Sequence, residues 1–301
     1  MLIVNKFKKL KELKYLINHN FELMTNLSNF VIQVRRDILR MVHAVNSGHP
    51  GGSLGCVEFM VVLYQKIMKR NKDFTMDGEK EDLFFLSNGH ISPVFYSVLA
   101  RSGYFPISEL QTFRKINSRL QGHPTTHEGL PGVRIASGSL GQGFSVAIGA
   151  AISKKLNKEN SIVYSLHGDG ELQEGQNWEG IMYAAANRID NLVCTIDNNN
   201  KQIDGDLKDV LDMGNLEAKF DAFGWKVLTL EKGNDIEEVE KVLNEAKKLC
   251  FKEKPIVIIM NTEMGNGVDF MMGTHKWHGV APNDEQLEKA LNQNPETMKD
   301  Y

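Results

Sequence analysis

Ile162-Val163-Tyr164-Ser165-Leu166 runs into Gly168-Asp169-Gly170, and Leu192 to Ile196 runs into Asp197-Asn198-Asn199-Asn200. Each apolar run is short, rich in β-branched residues and stopped by turn formers, which is the pattern of a buried strand. Between them, Gln176 to Asn187 is alanine-rich and helical in character. This is a βαβ unit with polar residues at the C-terminal ends of both strands, where open parallel sheets bind ligands. Working outward, Leu83 to Leu86 is another strand-like run, stopped by Ser87-Asn88-Gly89-His90. Lys226 to Leu230 reads as a strand, and Pro255 precedes the strand Ile256 to Met260. Asp235 to Leu249 carries Ile236, Val239, Val242, Leu243, Ala246 and Leu249 at helical spacing.

Upstream, Val31, Val34, Ile38, Met41, Val42 and Val45 predict a helix with Ser28 as its N-cap. A glycine-rich turn is expected over Ser47 to Gly52, and a helix over Val57 to Met68. Ser108 and Gln111 have capping-box spacing and should open a further helix. No repeat or proline-rich linker divides the chain. The expected fold class is therefore α/β: a doubly wound, mostly parallel sheet with helices on both faces, one domain over 29–301.

Composition removes several function classes. Lys+Arg 35 against Asp+Glu 38 gives a net charge of -3, with no basic field for nucleic acid. No segment is long and apolar enough for a membrane helix, so no membrane partner is expected. Cys56, Cys194 and Cys250 lack CxxC spacing, which excludes a disulfide framework and fits a reducing cytoplasm. Met1 to Leu16 is lysine-rich, and residues 1–28 read as a solvated amphipathic leader helix, with membrane-surface attachment as the minor alternative.

The chemistry starts from Gly168-Asp169-Gly170. Glycines between strand and helix suggest phosphate binding, but an aspartate would repel a bare phosphate. A divalent cation between the two removes the conflict. Asn199 lies 30 residues beyond Asp169, one βαβ repeat away, so both can reach one ion. A carboxylate, an amide oxygen and a backbone carbonyl are hard ligands that suit Mg²⁺ or Ca²⁺. His275-x-x-His278 opens a zinc reading, which the lack of an HExxH helix disfavours.

The run from Gly168 to Gly175, continued by Asp197 to Gly205, resembles the thiamine diphosphate fingerprint of the transketolase family. Other segments resemble the same family in the same order: Asn46 to Gly55, Leu86 to His90, Gln121 to Pro124, Gly138 to Gly143, and His275 to Pro282. The resemblance implies thiamine diphosphate and Mg²⁺ (or Ca²⁺) as cofactors. It puts the metal on Asp169, Asn199 and the Lys201 carbonyl. It puts the cofactor on His90, Gly138, Ser139, Leu140, Gly168, Gly170, Glu174, Asn199 and His278. It assigns His49, His123 and His278 to the substrate. Histidine suits the proton movements that cleaving a carbon–carbon bond beside a ketose carbonyl requires near neutral pH. His19, His43, His127 and His167 are read as structural.

The family's next domain supplies a pyrimidine pocket and the glutamate that activates the cofactor. Within these 301 residues no candidate for that domain remains after the His278 segment. The resemblance thus implies the N-terminal subunit of a split transketolase, joined to a C-terminal subunit in a dimer of heterodimers. Sugar phosphates would be its substrates, and pentose phosphate metabolism its setting. The small-residue helix Gly143 to Ile152 could form part of that interface or plain core. Two alternatives stay open. One is a subunit of another thiamine diphosphate enzyme, of 2-oxoacid dehydrogenase E1 α-type or acting on a modified ketose. The other is a noncatalytic binding subunit.

Overall fold

The computed structural model describes residues 26–71 and 73–301. Its frame is a five-stranded, wholly parallel sheet. The strands are β1 (Leu83–Leu86), β2 (Val163–Gly168), β3 (Leu192–Asn198), β6 (Lys226–Leu230) and β7 (Ile256–Asn261), in spatial order β1-β2-β3-β7-β6. A small antiparallel hairpin, β4 (Lys201–Gln202) and β5 (Gly205–Asp206), follows β3 and leads into the short helix α7 (Leu207–Leu211).

The alternation of side chains along each strand builds two cores. Tyr164, Leu166, Val193, Ile256, Ile258 and Met260 face one apolar cluster. Val163, Leu192, Cys194, Ile196, Val257 and Ile259 face the other. Strands buried on both faces need continuous apolar runs, which is why they read so clearly. Helices α1 (26–44), α3 (Val57–Val62), α4 (Ser92–Arg101) and α9 (Ile236–Leu249) contribute to the first cluster. Helices α5 (Gln142–Leu156), α6 (Gly175–Ala186) and α8 (Leu216–Ala222) contribute to the second. The chain closes with α10 (Asp284–Gln293), which has a capping box formed by Asn283 and Gln286. The expected α/β class with helices on both faces is what the structure has.

Three local readings change. Ser28 is not an N-cap, because α1 already includes residues 26 and 27. The apolar stripe continues upstream through buried Leu27, so the helix has no reason to begin at Ser28. The domain boundary expected after residue 28 therefore falls inside α1. Of the expected leader helix, residues 1–25 lie outside the described residues.

The glycine-rich turn is partly helical: Pro50–Gly55 forms α2, with Pro50 in its first turn. Its glycines permit close packing. A Cβ on Gly51 would lie 2.8 Å from the Trp277 carbonyl, and one on Gly55 3.1 Å from that of Glu263. The segment carrying His49 is thereby pressed against the segment carrying His278.

Ser108 caps nothing. Ile107–Thr112 is a six-residue 3₁₀ helix without a side-chain cap. The chain reverses at Arg114, in the left-handed region at φ 54°, before a helix can extend.

The small-residue helix has two faces. Gly143, Phe144, Ala147, Ile148 and Ala151 of α5 are buried in the domain's own core, whereas Ser145, Val146 and Gly149 are exposed.

Candidate cofactor and substrate site

The parallel register of β2 and β3 sets Gly168 beside Asp197. Asp169 and Asn199, 30 residues apart in sequence, are thereby neighbours at the C-terminal edge of the sheet. A cavity of about 380 Å³ opens there. Of the residues singled out by sequence, His49, His90, His123, Gly138, Leu140, Gly168, Asp169, Gly170, Glu174, Asn199, Lys201 and His278 line it. Ser139 is exposed and stands outside the lining.

At the floor, Asp169 is 2% exposed. Its Oδ1 accepts the Gly170 amide at 2.7 Å and its Oδ2 the Asn200 amide at 2.6 Å. Asn200 reaches that position with a left-handed backbone, φ 59°. Asn199 donates through Nδ2 to Asp197 Oδ2 at 2.9 Å, and its Oδ1 accepts the Lys201 amide at 2.9 Å. Thr262 Oγ1 donates to the other oxygen of Asp197. Burial, and then the Asp197 charge, push the Asp169 carboxyl up to about 7. Burial raises Asp197 too.

Two buried carboxylates side by side, with main-chain amides, an asparagine, a threonine and the Cys56 thiol against them and, among the described residues, no lysine or arginine, fit a cation. The donors are all hard oxygens, as Mg²⁺ or Ca²⁺ requires. The residues present therefore fit the expected metal.

Above the floor stand the histidines. His49 precedes α2, and its ring centroid lies 5.1 Å from that of His90, 5.7 Å from His278 and 6.3 Å from His123. His90 and His278 stack at 5.2 Å. Burial lowers all four pKa values; the neighbouring rings of the cluster add to it at His49 and His90, Arg114 at His123, and His275 at His278, where Asp204 opposes. His49 falls to about 4, through burial first, then His278, Arg114 and His123. At neutral pH the rings are uncharged and each keeps a lone pair that can accept a proton. The Nδ1 atoms of His49 and His278 and the Oδ1 of Asn88 are buried with no hydrogen-bond partner.

The remaining described histidines are elsewhere. His43 contacts Asp284 at 2.8 Å, His127 is exposed, His167 is fully buried against Ser165 and Phe144, and His275 opens the 3₁₀ turn His275–Trp277 outside the cavity lining. His19 is outside the described residues.

Sequence reasoning passed over Asn88, Asp197, Met264 and Arg114. Asp197 sits in the quoted strand-end run and could have been named from it. Arg114 carries no pattern: it donates to Ser47 Oγ at 2.9 Å and packs against Gly122, so it joins the His49 and His123 loops only in the folded chain.

Comparison with known proteins agrees with this geometry. The family described as "Transketolase, thiamine diphosphate binding domain" matches residues 28–297. The chain is 37% identical over 268 residues to an apulose-4-phosphate transketolase subunit of Actinobacillus succinogenes, covering 89% of this chain and 94% of that one. It is 34% identical to a 6-deoxy-6-sulfo-D-fructose transketolase subunit of a Clostridium species, covering 86% and 92%. The transketolase of Staphylococcus aureus strain MRSA252 is 35% identical, but this chain spans only 39% of its length. Among solved structures, the Campylobacter jejuni transketolase superposes with a TM-score of 0.82 at 33% identity, over 89% of this chain and 42% of that one. The chain belongs to the transketolase family, as a thiamine diphosphate-binding domain.

Proposed function

We propose that this chain is the diphosphate- and metal-holding subunit of a two-chain ketol transferase. The observation that carries the reading is that His49, His90, His123 and His278 share one cavity with Asp169 and Asn199. Asp169, Asn199 and the Lys201 carbonyl would hold the divalent metal, and the Gly170 backbone and His90 would meet the diphosphate. Gly138, Leu140 and Glu174 complete the cavity wall on that side; Ser139 belongs to the same loop. Thiamine diphosphate, when bound, supplies the electron sink for the cleaved carbon–carbon bond. His49, His123 and His278 take protons from and return them to the substrate hydroxyls, and their neutral state at pH 7 equips them to accept first.

The domain, 29–301 in this reading with α1 entering it slightly earlier, works with a second polypeptide that brings the pyrimidine pocket and the activating glutamate. Support comes from the two relatives named as subunits, of which the chain spans 92% or more, against 39% of the Staphylococcus aureus enzyme. The open face of α5, with Val146, and exposed Met182 and Tyr183 on α6 offer apolar surface for that partner in a dimer of heterodimers. We place the enzyme in the cytoplasm: Cys56, Cys194 and Cys250 are free and buried, and among the described residues no helix is long and apolar enough to cross a membrane.

Transfer of a two-carbon unit from a ketose phosphate to an aldose phosphate is the reaction proposed. A modified ketose as donor is the second reading, favoured by the names of the apulose-4-phosphate and sulfofructose relatives. The test assays transfer from xylulose 5-phosphate and from modified ketoses, with thiamine diphosphate and Mg²⁺. It is run with and without a second subunit carrying the pyrimidine domain. Activity from this chain alone overturns the two-chain reading. No transfer by the pair from any ketose overturns the reaction.

A further inference from the structure

We propose that Glu171 is a positioning residue that ties together the three loops around the candidate site. Its side chain is buried, and its carboxylate gathers donors from three separate segments. Oε1 accepts the Gly141 amide at 2.8 Å and the Ser87 hydroxyl. Oε2 accepts the Gly168 amide at 3.0 Å. The Glu171 carbonyl accepts Asn177 Nδ2 at 2.6 Å, which anchors the residue to α6.

Each donor stands next to a cavity-lining group. Ser87 leads into Asn88 and His90, Gly141 follows Gly138 and Leu140, and Gly168 precedes Asp169. The loops are also in close steric contact: a Cβ on Gly143 would lie 2.4 Å from Ser87 Oγ.

The geometry calls for a carboxylate in particular. Three donors converge, so the group at the centre must accept on both oxygens and donate on neither. A glutamine would turn an N–H against an N–H or O–H on one side. No lysine or arginine is paired with Glu171 among the described residues. His167 Nδ1 lies 3.9 Å away, but burial keeps that ring neutral at physiological pH. The charge is held by main-chain and hydroxyl donors, including the N-terminal end of the 15-residue helix α5. Glu171 acts through these loops and is assigned no contact with the reacting atoms.

The inference rests on the cofactor reading only for its affinity arm. The test uses the full chain with Glu171→Gln, and Ser87→Ala as a second variant that keeps the carboxylate. Hydrogen exchange is followed in peptides covering residues 86–91, 138–143 and 166–170, with peptides from β3 and β7 as internal reference. Exchange should rise about tenfold or more in all three loops of Glu171→Gln while the reference strands hold. Ser87→Ala should raise it in 86–91 and 138–143, even if Glu171→Gln fails to fold. Calorimetry with Mg²⁺ and thiamine diphosphate, and with Mg²⁺ and inorganic pyrophosphate, should show affinity weakened on the order of ten- to a hundredfold, the worth of one or two lost charge-assisted hydrogen bonds. Exchange rising only at 166–170 of Glu171→Gln, no rise at 138–143 of Ser87→Ala, or wild-type affinity in a Glu171→Gln protein with loosened loops overturns the assignment. If the wild-type chain binds neither probe, the cofactor reading fails, and the exchange result still decides the role of Glu171.

Discussion

Acidification to pH 5 should cost this protein stability at His49, and His49→Gln should remove that cost. His49 has a folded pKa of about 4 against 6.5 for a free histidine, chiefly because burial disfavours the imidazolium. Between those values the unfolded chain binds the proton and the folded chain does not. Stability therefore rises with pH through this window and is lost as pH falls through it. The linkage relation gives a loss from His49 of about 2 kcal/mol at pH 5, and almost none at pH 8. His90, His123 and His278 shift in the same direction, whereas the raised Asp169, Asp197 and Glu171 carboxyls gain stability on acidification, so the wild-type total mixes opposed contributions. The difference between the two proteins isolates His49. Urea unfolding of wild type and His49→Gln, each at pH 8 and pH 5, supplies the four free energies. The mutant should lose about 2 kcal/mol less on acidification. Equal losses would refute the claim that His49 is held neutral by its surroundings.

Three further outcomes follow from the site. Asp169→Asn should abolish Mg²⁺-dependent binding of thiamine diphosphate in calorimetry, since it removes the one carboxylate proposed as metal ligand; wild-type affinity would remove Asp169 from the metal. His278→Ala in the assembled enzyme should lower turnover by about 10² to 10⁴, with a much smaller change in urea midpoint; wild-type kinetics would take His278 out of the reaction. Gly89→Ala should destabilise the chain by about 1–3 kcal/mol, as overpacking does, because its Cβ would fall 2.2 Å from the Ser137 carbonyl; an unchanged urea midpoint would show that the His90 and Gly138 loops are not pressed together as described.

How much the sequence reveals depends on how far away the explanation of a residue lies. Strands Leu83–Leu86 and Lys226–Leu230 have the bounds that the apolar runs predict, and α9 begins after Asp235, whose carboxylate accepts the Glu237 and Glu238 amides. These are local facts: a continuous apolar run, a cap, a bounding turn. The placement of β7 between β3 and β6 is not local, and nothing in the runs themselves dictates it. The 3₁₀ helix at Ile107–Thr112 failed as an α-helix because Arg114 reverses the chain, which the Ser108–Gln111 spacing does not encode.

The same distinction divides the site. His49, His90, His123 and His278 each adjoin a glycine or sit in a glycine-bearing motif, so their loops announce themselves. Asp169 was legible because a glycine-flanked aspartate after a strand creates a charge conflict that only a cation resolves. Arg114 and Glu171 were not, because what they do is set by partners that folding brings to them. Glu171 meets Ser87 from 84 positions away and Gly141 from 30. In the linear sequence Glu171 is one acidic residue in a motif that already contains two others. Only in the fold does it become the acceptor on which three loops converge, and a site whose ligands sit on separate loops needs such a centre if they are to arrive together.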